Sequence, residues 1–582
     1  MQRRDLLKSV AAGAGLTILR SGTLRGQGAP SNKLNIALMG CWGRATAHYN
    51  VLANENVVAL CDVNENRLKE ALTIFPKAKT YWDWRKALEQ KDIEGVIICT
   101  ADHHHAFIAN WALNRGMNVY CEKPLGICVN EVRTVRANYN KQKAKVSTQH
   151  GTQRHAYPNF ERVRELILDG AVGDLKTIHG WDARELPRPS YPTGEGEPPS
   201  FFHYDQWVGP SPYHPYSPQY FAAPGAGNNC LSWNMYRDFG VGQMGDMGAH
   251  TMDLLWNAID AGAPTAIEAD MDISDKFNPD VTPVKLKVTF DHPANSWRGP
   301  VQVVWYQGGL KPTPPKSYVD LTRVGNGAIF TGTKGTIFCD FTSRVIIPND
   351  DDGDLTYYKR RTKDQLLPLI GGTGQLSGGG GRGGAGRGGA GAAGGRGAAG
   401  GAMAAAGRGG APGAPGAGGF PGGPGGAPGA AGGRGAAGAA GGRGGGMQGA
   451  QIGPDGFPIV TLLADGVPPE MGSPNTAVQQ AAARLAQETS GPVQVTGEHL
   501  FQDNWLDACK GKSNGLVNGT SVKTHCDFNY AGDMMEQMLL GLVAHRAGKK
   551  LEYDPATGRV TNMAEANDWL KREYRPGWTL NG

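Results

Sequence analysis

The chain carries a Glu122-Lys123-Pro124 tripeptide where a short apolar run, Met117-Asn118-Val119-Tyr120-Cys121, stops. A lysine held at the carboxyl end of a strand, between a carboxylate and a proline, sits where open α/β sheets bind their ligands. Its ammonium group can hydrogen-bond a substrate oxygen and stabilise alkoxide charge as it develops. Farther on, Asp246 and His250 are four residues apart. Both lie on one face if the helix suggested by the apolar spacing up to Ile259 already begins at Asp246. A neutral histidine has a pKa near the working range of a general base. Taken singly, Lys123 also reads as a solvated turn residue and His250 as a packed core histidine.

The elements before Lys123 have the rhythm strand, glycine turn, helix, strand. Leu34 to Met39 reads as a first strand, Gly40-Cys41-Trp42-Gly43-Arg44-Ala45 as the turn, and Val57 to Cys61 as a second strand ending at Asp62. An acidic residue about 20 positions beyond the first glycine is placed to hold the ribose hydroxyls of an adenine dinucleotide, which favours NAD over NADP. In the G-x-G-x-x-G frame, positions 40, 42 and 45 read Gly, Trp and Ala. A bulky residue thus stands where glycine lets the backbone approach a pyrophosphate, and Gly43 partly restores that freedom. Gly95 to Thr100 is a later strand, followed by Asp102-His103-His104-His105. Adjacent side chains on an extended loop point in different directions, so three histidines in a row are not expected to share a metal ion. Asp102 and His105 are instead expected to line the nicotinamide pocket. Lys145 to Thr148 is read as the strand closing a doubly wound sheet.

Four stretches together resemble the Gfo/Idh/MocA family of NAD(P)-dependent sugar and polyol oxidoreductases: Met39 to Ala45, Thr100 to Ala106, Val119 to Leu125, and Gly245-Asp246-Met247-Gly248-Ala249-His250. Weaker matches are Asp205 to Pro210 and the tail from Trp505 to Trp578. The resemblance implies an N-terminal Rossmann domain and a C-terminal α/β domain whose open, largely antiparallel sheet often forms oligomer contacts, so a homo-oligomer is expected. It implies catalytic roles for Lys123, Asp246 and His250, with Asp246 binding a neighbouring hydroxyl while His250 takes the proton. Gly40, Trp42, Gly43, Arg44, Asp62, Thr100, Asp102, His105 and Glu122 are expected to hold NAD, and Gln153 and Arg154 to bind a sugar or polyol substrate. A glycoside hydrolase or lyase that oxidises its substrate transiently is the alternative, and a catalytically silent binding protein is a further one.

The rest of the chain frames these motifs. Residues 1–30 contain Arg3-Arg4-Asp5-Leu6-Leu7-Lys8 and a mild apolar run from Val10 to Leu19, the order of a twin-arginine export signal, so a periplasmic or otherwise exported protein is expected. That run is too short for a permanent membrane span. Residues 31–150 are assigned to the dinucleotide-binding domain and 151–370 to the first part of the second domain. Residues 371–452, almost wholly Gly, Ala, Arg and Pro, have too little apolar side-chain area to order themselves and are expected to be disordered. Residues 453–582 are assigned to the remainder of the second domain. The formal net charge is +5, and removing the six arginines of the low-complexity stretch leaves the remainder at −1. Such a body is not a nucleic-acid groove. Nine cysteines show no zinc-type spacing, and no metal site or disulfide is expected.

Overall fold

The computed structural model describes residues 32–222, 230–314, 319–321, 324–341, 344–349, 460–461, 497–511, 516–517, 520–521 and 524–582. The expected export signal and the Gly/Ala/Arg-rich stretch lie outside the described residues. Six strands form the first sheet: β1 (Asn35–Met39), β2 (Asn56–Cys61), β3 (Lys79–Tyr81), β4 (Gly95–Ile98), β5 (Asn118–Cys121) and β6 (Thr148–His150). All pairs are parallel, in the order β3-β2-β1-β4-β5-β6. This is the doubly wound arrangement, whose order reverses between β1 and β4 and opens a crevice beyond their carboxyl ends.

The central strands read as unbroken apolar runs because both faces of the sheet are covered. Helices α1 (Glu65–Leu72), α2 (Asp102–Asn114) and α3 (Val129–Gln142) connect the strands. On one face, Phe107, Ile108 and Val132 from α2 and α3 join Val96, Ile98 and Val119. On the other, Ile36, Leu38 and Leu60 pack with Phe501 and Trp505 from the helix Gly497–Cys509. The Trp505 indole N–H also donates to Ser147 O at 3.2 Å. This helix belongs by sequence position to the second domain, yet its packing completes the first. The closing strand also begins later than Lys145, at Thr148, with Val146 buried just before it.

The second sheet has nine strands. They are β7 (Leu175–Asp182), β8 (Ala266–Ala269), β9 (Leu286–His292), β10 (Val301–Gln307), β11 (Asn326–Gly332), β12 (Gly335–Cys339), β13 (Arg344–Pro348), β14 (Leu551–Asp554) and β15 (Arg559–Val560). Their order is β13-β12-β11-β7-β10-β9-β8-β14-β15, and the β7/β10 pair alone is parallel. β9 alternates buried and half-buried residues along its length, the signature of a strand covered on one face. Helices α4 (Pro158–Leu168), α5 (Met247–Ile259) and α6 (Phe528–Ala547) supply the cover. Met534, Met535 and Met538 of α6 are fully buried in the cluster that contains Val288 and Phe290 of β9.

Candidate functional site

After β1 the chain turns through Gly40 (φ 81°) and Gly43 (φ 67°) into a 3-10 turn, Gly43–His48. A Cβ on Gly40 would lie 2.5 Å from the Cys99 carbonyl oxygen, so glycine is what lets this turn rest on the end of β4. The Trp42 indole, an obstacle in the sequence reading, is engaged by α1: the Arg67 guanidinium stacks 4.1 Å from its ring centroid. Asp62 Oδ2 accepts the Cys41 N–H at 2.8 Å, and Oδ1 accepts the Asn64 N–H at 2.9 Å. Burial raises this carboxyl above its ordinary range despite those two bonds. A ribose hydroxyl at Asp62 would therefore share a carboxylate that already ties the glycine turn to β2.

A cavity of about 460 Å³ opens at the carboxyl ends of β1, β2, β4 and β5. All nine residues expected to hold the cofactor, together with Lys123, line it. The opposite wall comes from the second domain and includes Phe201, Phe202, Trp207 and Trp233. This wall is tied to the β2 end by backbone bonds: Glu65 N–H donates to Phe201 O at 2.9 Å, and His203 N–H to Val63 O at 2.8 Å. A glycine-lined turn, a carboxylate after β2 and a crevice at the switch point fit an adenine dinucleotide.

The three histidines correct one expectation. They occupy the first turn of α2, which starts at Asp102, rather than an extended loop. Their ring nitrogens face backbone oxygens: His103 meets Phe239 O and Trp207 O, His104 meets Trp207 O, and His105 meets Pro124 O and Thr100 O. The Trp84 indole N–H donates to His104 Nδ1 at 3.2 Å. Burial pushes all three below the ordinary imidazole range, His104 down to about 3. They fasten α2 to the aromatic wall and to the Lys123 turn. Asp102 beside them is buried, and that burial raises its carboxyl well above the usual value.

Glu122 Oε1 accepts Arg44 Nε at 2.9 Å and meets His48 Nε2 at 3.0 Å. Burial alone would raise its pKa, but the Arg44 and His48 contacts more than offset this and hold it well below the carboxylate range. Room for this side chain depends on Gly151, where a Cβ would fall 2.4 Å from Glu122 Oε2. Lys123 Nζ pairs with Asp246 Oδ1, and Arg184 Nη2 lies 2.9 Å from Asp246 Oδ2. Arg184 Nε also donates to Asp182 Oδ1 at 3.2 Å. Burial disfavours the charged forms of Lys123 and Asp246, but their contact outweighs it: the ammonium is held above, and the carboxylate below, its ordinary value.

Asp246 is not in the helix with His250. It is the N-cap residue of α5, with φ −82° and ψ −94°, and its side chain makes no capping bond. Both carboxylate oxygens are committed to cations, which alters the expected role as a free acceptor of a substrate hydroxyl. His250 is buried one turn into α5, with Nδ1 sealed and without a hydrogen-bond partner. Burial, then the nearby Arg154 and Lys123 charges, push it well below the usual imidazole range, so it is neutral near pH 7. It does not line the 460 Å³ cavity, and neither do Asp246, Gln153 and Arg154. Gln153 and Arg154 lie on a 3-10 turn, Gln153–Ala156, immediately beyond β6. Arg154 stacks on Phe341, 4.2 Å from the ring centroid.

Sequence reasoning missed Arg184, His48 and the aromatic wall. The available signals were Asp182-x-Arg184 at the end of a strand and the density of Tyr, Phe and Trp between Tyr191 and Phe239. Asp253, given no role from sequence, accepts His155 Nδ1 at 2.8 Å and the Tyr530 hydroxyl at 2.6 Å beside buried Cys526. This pins the Gln153–Ala156 turn to α5. None of the nine cysteines forms a disulfide.

Residues 34–150 match the model of an oxidoreductase family described as an NAD-binding Rossmann fold, and residues 193–296 match that family's C-terminal alpha/beta domain. Inositol 2-dehydrogenase from Salmonella typhimurium is 30% identical over 145 residues, 25% of this chain and 43% of that protein. A glycosyl hydrolase family 109 protein from Stenotrophomonas maltophilia is 28% identical over 219 residues, 34% of this chain and 46% of that protein. The chain thus spans less than half the length of these relatives. The WlbA dehydrogenase from Bordetella pertussis, crystallised with NADH and UDP-GlcNAcA, aligns over 90% of this chain and 98% of its own with 12% identity and a TM-score of 0.47. Two segments of the chain, an NAD-binding Rossmann domain and the corresponding C-terminal domain, thus match the models of one oxidoreductase family, Gfo/Idh/MocA.

Proposed function

We propose that the protein is an exported NAD-dependent oxidoreductase that moves a hydride between the cofactor and a hydroxyl-bearing carbon of a sugar, cyclitol or glycoside. The observation that carries this reading is an ammonium lining a dinucleotide-sized crevice with a neutral imidazole within its electrostatic reach. Asp246 holds Lys123 protonated, and burial with nearby cations holds His250 neutral. The bound nicotinamide supplies hydride acceptance. Lys123 Nζ donates to the substrate oxygen and stabilises its developing negative charge. His250, whose Nδ1 is sealed in the interior, takes the hydroxyl proton at Nε2. Asp246 and Arg184 fix the ammonium between the two domains.

The likeness to a glycosyl hydrolase family 109 protein favours one second reading, in which oxidation is transient and the net reaction is glycosidic cleavage. Purified protein loaded with NAD and offered sugars, cyclitols and glycosides separates the two. Accumulating NADH with an oxidised product supports the first reading, and cleavage without net cofactor change supports the second. No reaction with any of these classes would overturn both. Export rests on the paired arginines and apolar run of residues 1–30. A reporter fused behind that segment, retained in the cytoplasm, would remove it.

A further inference from the structure

We infer that the substrate carries a carboxylate group, received by the guanidinium of Arg154. The inference rests on the oxidoreductase reading above and narrows its substrate class. Four cations surround the reaction centre, and three are matched. Arg44 meets Glu122, Lys123 meets Asp246, and Arg184 meets both Asp246 and Asp182. Among the described residues the Arg154 guanidinium has neither an ion-pair partner nor a hydrogen bond. It stacks on the Phe341 ring, and its Nη1 is sealed from solvent without an acceptor.

A half-buried cation without a counter-ion is only partly solvated, and a stacked ring supplies only part of what a carboxylate would. The position of Arg154 makes this a substrate matter. It sits four residues beyond β6, whose last residue pairs with Cys121, directly before Glu122 and Lys123. The turn that carries it is pinned to α5, the helix of His250, by the His155–Asp253 contact. The carboxylates that face it, Asp246 and Asp340, form no ion pair with it, and Asp246 is shared between two other cations.

Neutral hydroxyls could accept its N–H groups but would leave the charge uncompensated. A carboxylate can accept two parallel N–H bonds from one guanidinium and cancel its charge. One unmatched cation fits one negative charge, so a uronate or aldonate is favoured over a phosphate dianion.

Calorimetric titration of the NAD-loaded full chain tests this with D-glucuronate, D-galacturonate, D-glucose, myo-inositol and glucose 6-phosphate. The expected result is that a uronate binds at least about 10-fold more tightly than the neutral sugars. Arg154→Gln is expected to weaken uronate binding roughly 30-fold or more and so to abolish the preference over neutral sugars. The wild-type comparison decides the matter even if the variant does not fold. Equal affinity for neutral and acidic probes, preference for the phosphate, or binding of none of them overturns the inference. NADH formation from neutral sugars without a uronate preference sinks the inference and spares the oxidoreductase reading. Uronate binding without any hydride transfer does the reverse.

Discussion

Glu122, next to Lys123 in the chain, and Asp246, paired with the Lys123 ammonium, are two buried carboxylates, and each is met by two basic groups. Their partners differ in origin. Arg44 and His48, which meet Glu122, belong to the same Rossmann domain, on the segment that follows the glycine turn. Asp246 joins a lysine of the first domain to an arginine of the second. Both pairs hold their carboxylates well below the ordinary range, but only the second also positions Lys123, the group proposed to meet the substrate. A charge pair within one domain shapes a binding loop, whereas a charge pair across domains sets the geometry between cofactor and base.

The largest expected effect tests the cross-domain pair. Lys123→Ala should lower turnover on the order of 100- to 1,000-fold while leaving NAD bound, measured by single-turnover kinetics and by the cofactor released on denaturation. Retained turnover would remove Lys123 from the mechanism. Asp246→Asn comes next, because it leaves two half-buried cations with a neutral partner. A loss of about 3 kcal/mol in stability and a marked fall in kcat are expected, whereas Glu122→Gln should cost comparable stability with a smaller change in kcat. Equal kinetic effects from both would erase the distinction drawn between the pairs.

The pH dependence of the two carboxylates has a definite sign. Their folded pKa values lie below the unfolded values of about 4. The stability they contribute is therefore complete above that range and is lost as pH falls toward the folded values. Thermal melts should be flat with respect to these groups near neutrality and steepen below about pH 4, with a shallower acid slope in Asp246→Asn. For His250 the lowered pKa extends the neutral form into acid, so the acid limb of kcat/KM should lie below the ordinary imidazole value of about 6.5. A limb at or above that value would argue against His250 as the base. The smallest effect is expected from Trp42→Gly. With the indole held by Arg67, restoring a glycine should change NAD affinity by less than roughly 10-fold. A large gain would mean that the indole obstructs the cofactor after all.

Much of the first domain was legible because parallel strands covered on both faces leave long apolar runs, as Gly95–Ile98 does. β3 was not legible: Lys79–Tyr81 is three residues long, and none of them is buried. The helix Gly497–Cys509 escaped its domain assignment because nothing local tells Trp505 which sheet it will cover. The residues expected to hold the cofactor were read from the turn motif and strand ends, and all of them line the cavity. The partners of Asp246 were less so. Lys123 was evident from its tripeptide, while Arg184 is an unremarkable basic residue until the β7 end is brought beside α5.

Residue type and spacing by themselves determined the Rossmann order of elements, the glycine turn, the carboxylate after β2 and the lysine after β5, because these depend on periodicities and short-range chain geometry. Only the tertiary structure decided that Asp246 stands outside the helix of His250 and clamps Lys123 to Arg184, that Trp42 stacks beneath Arg67, and that Arg154 has no ion-pair partner among the described residues. The reason is physical. Charge pairing and desolvation depend on distances between groups far apart in the chain, and those distances exist only after the two sheets and their helices have packed.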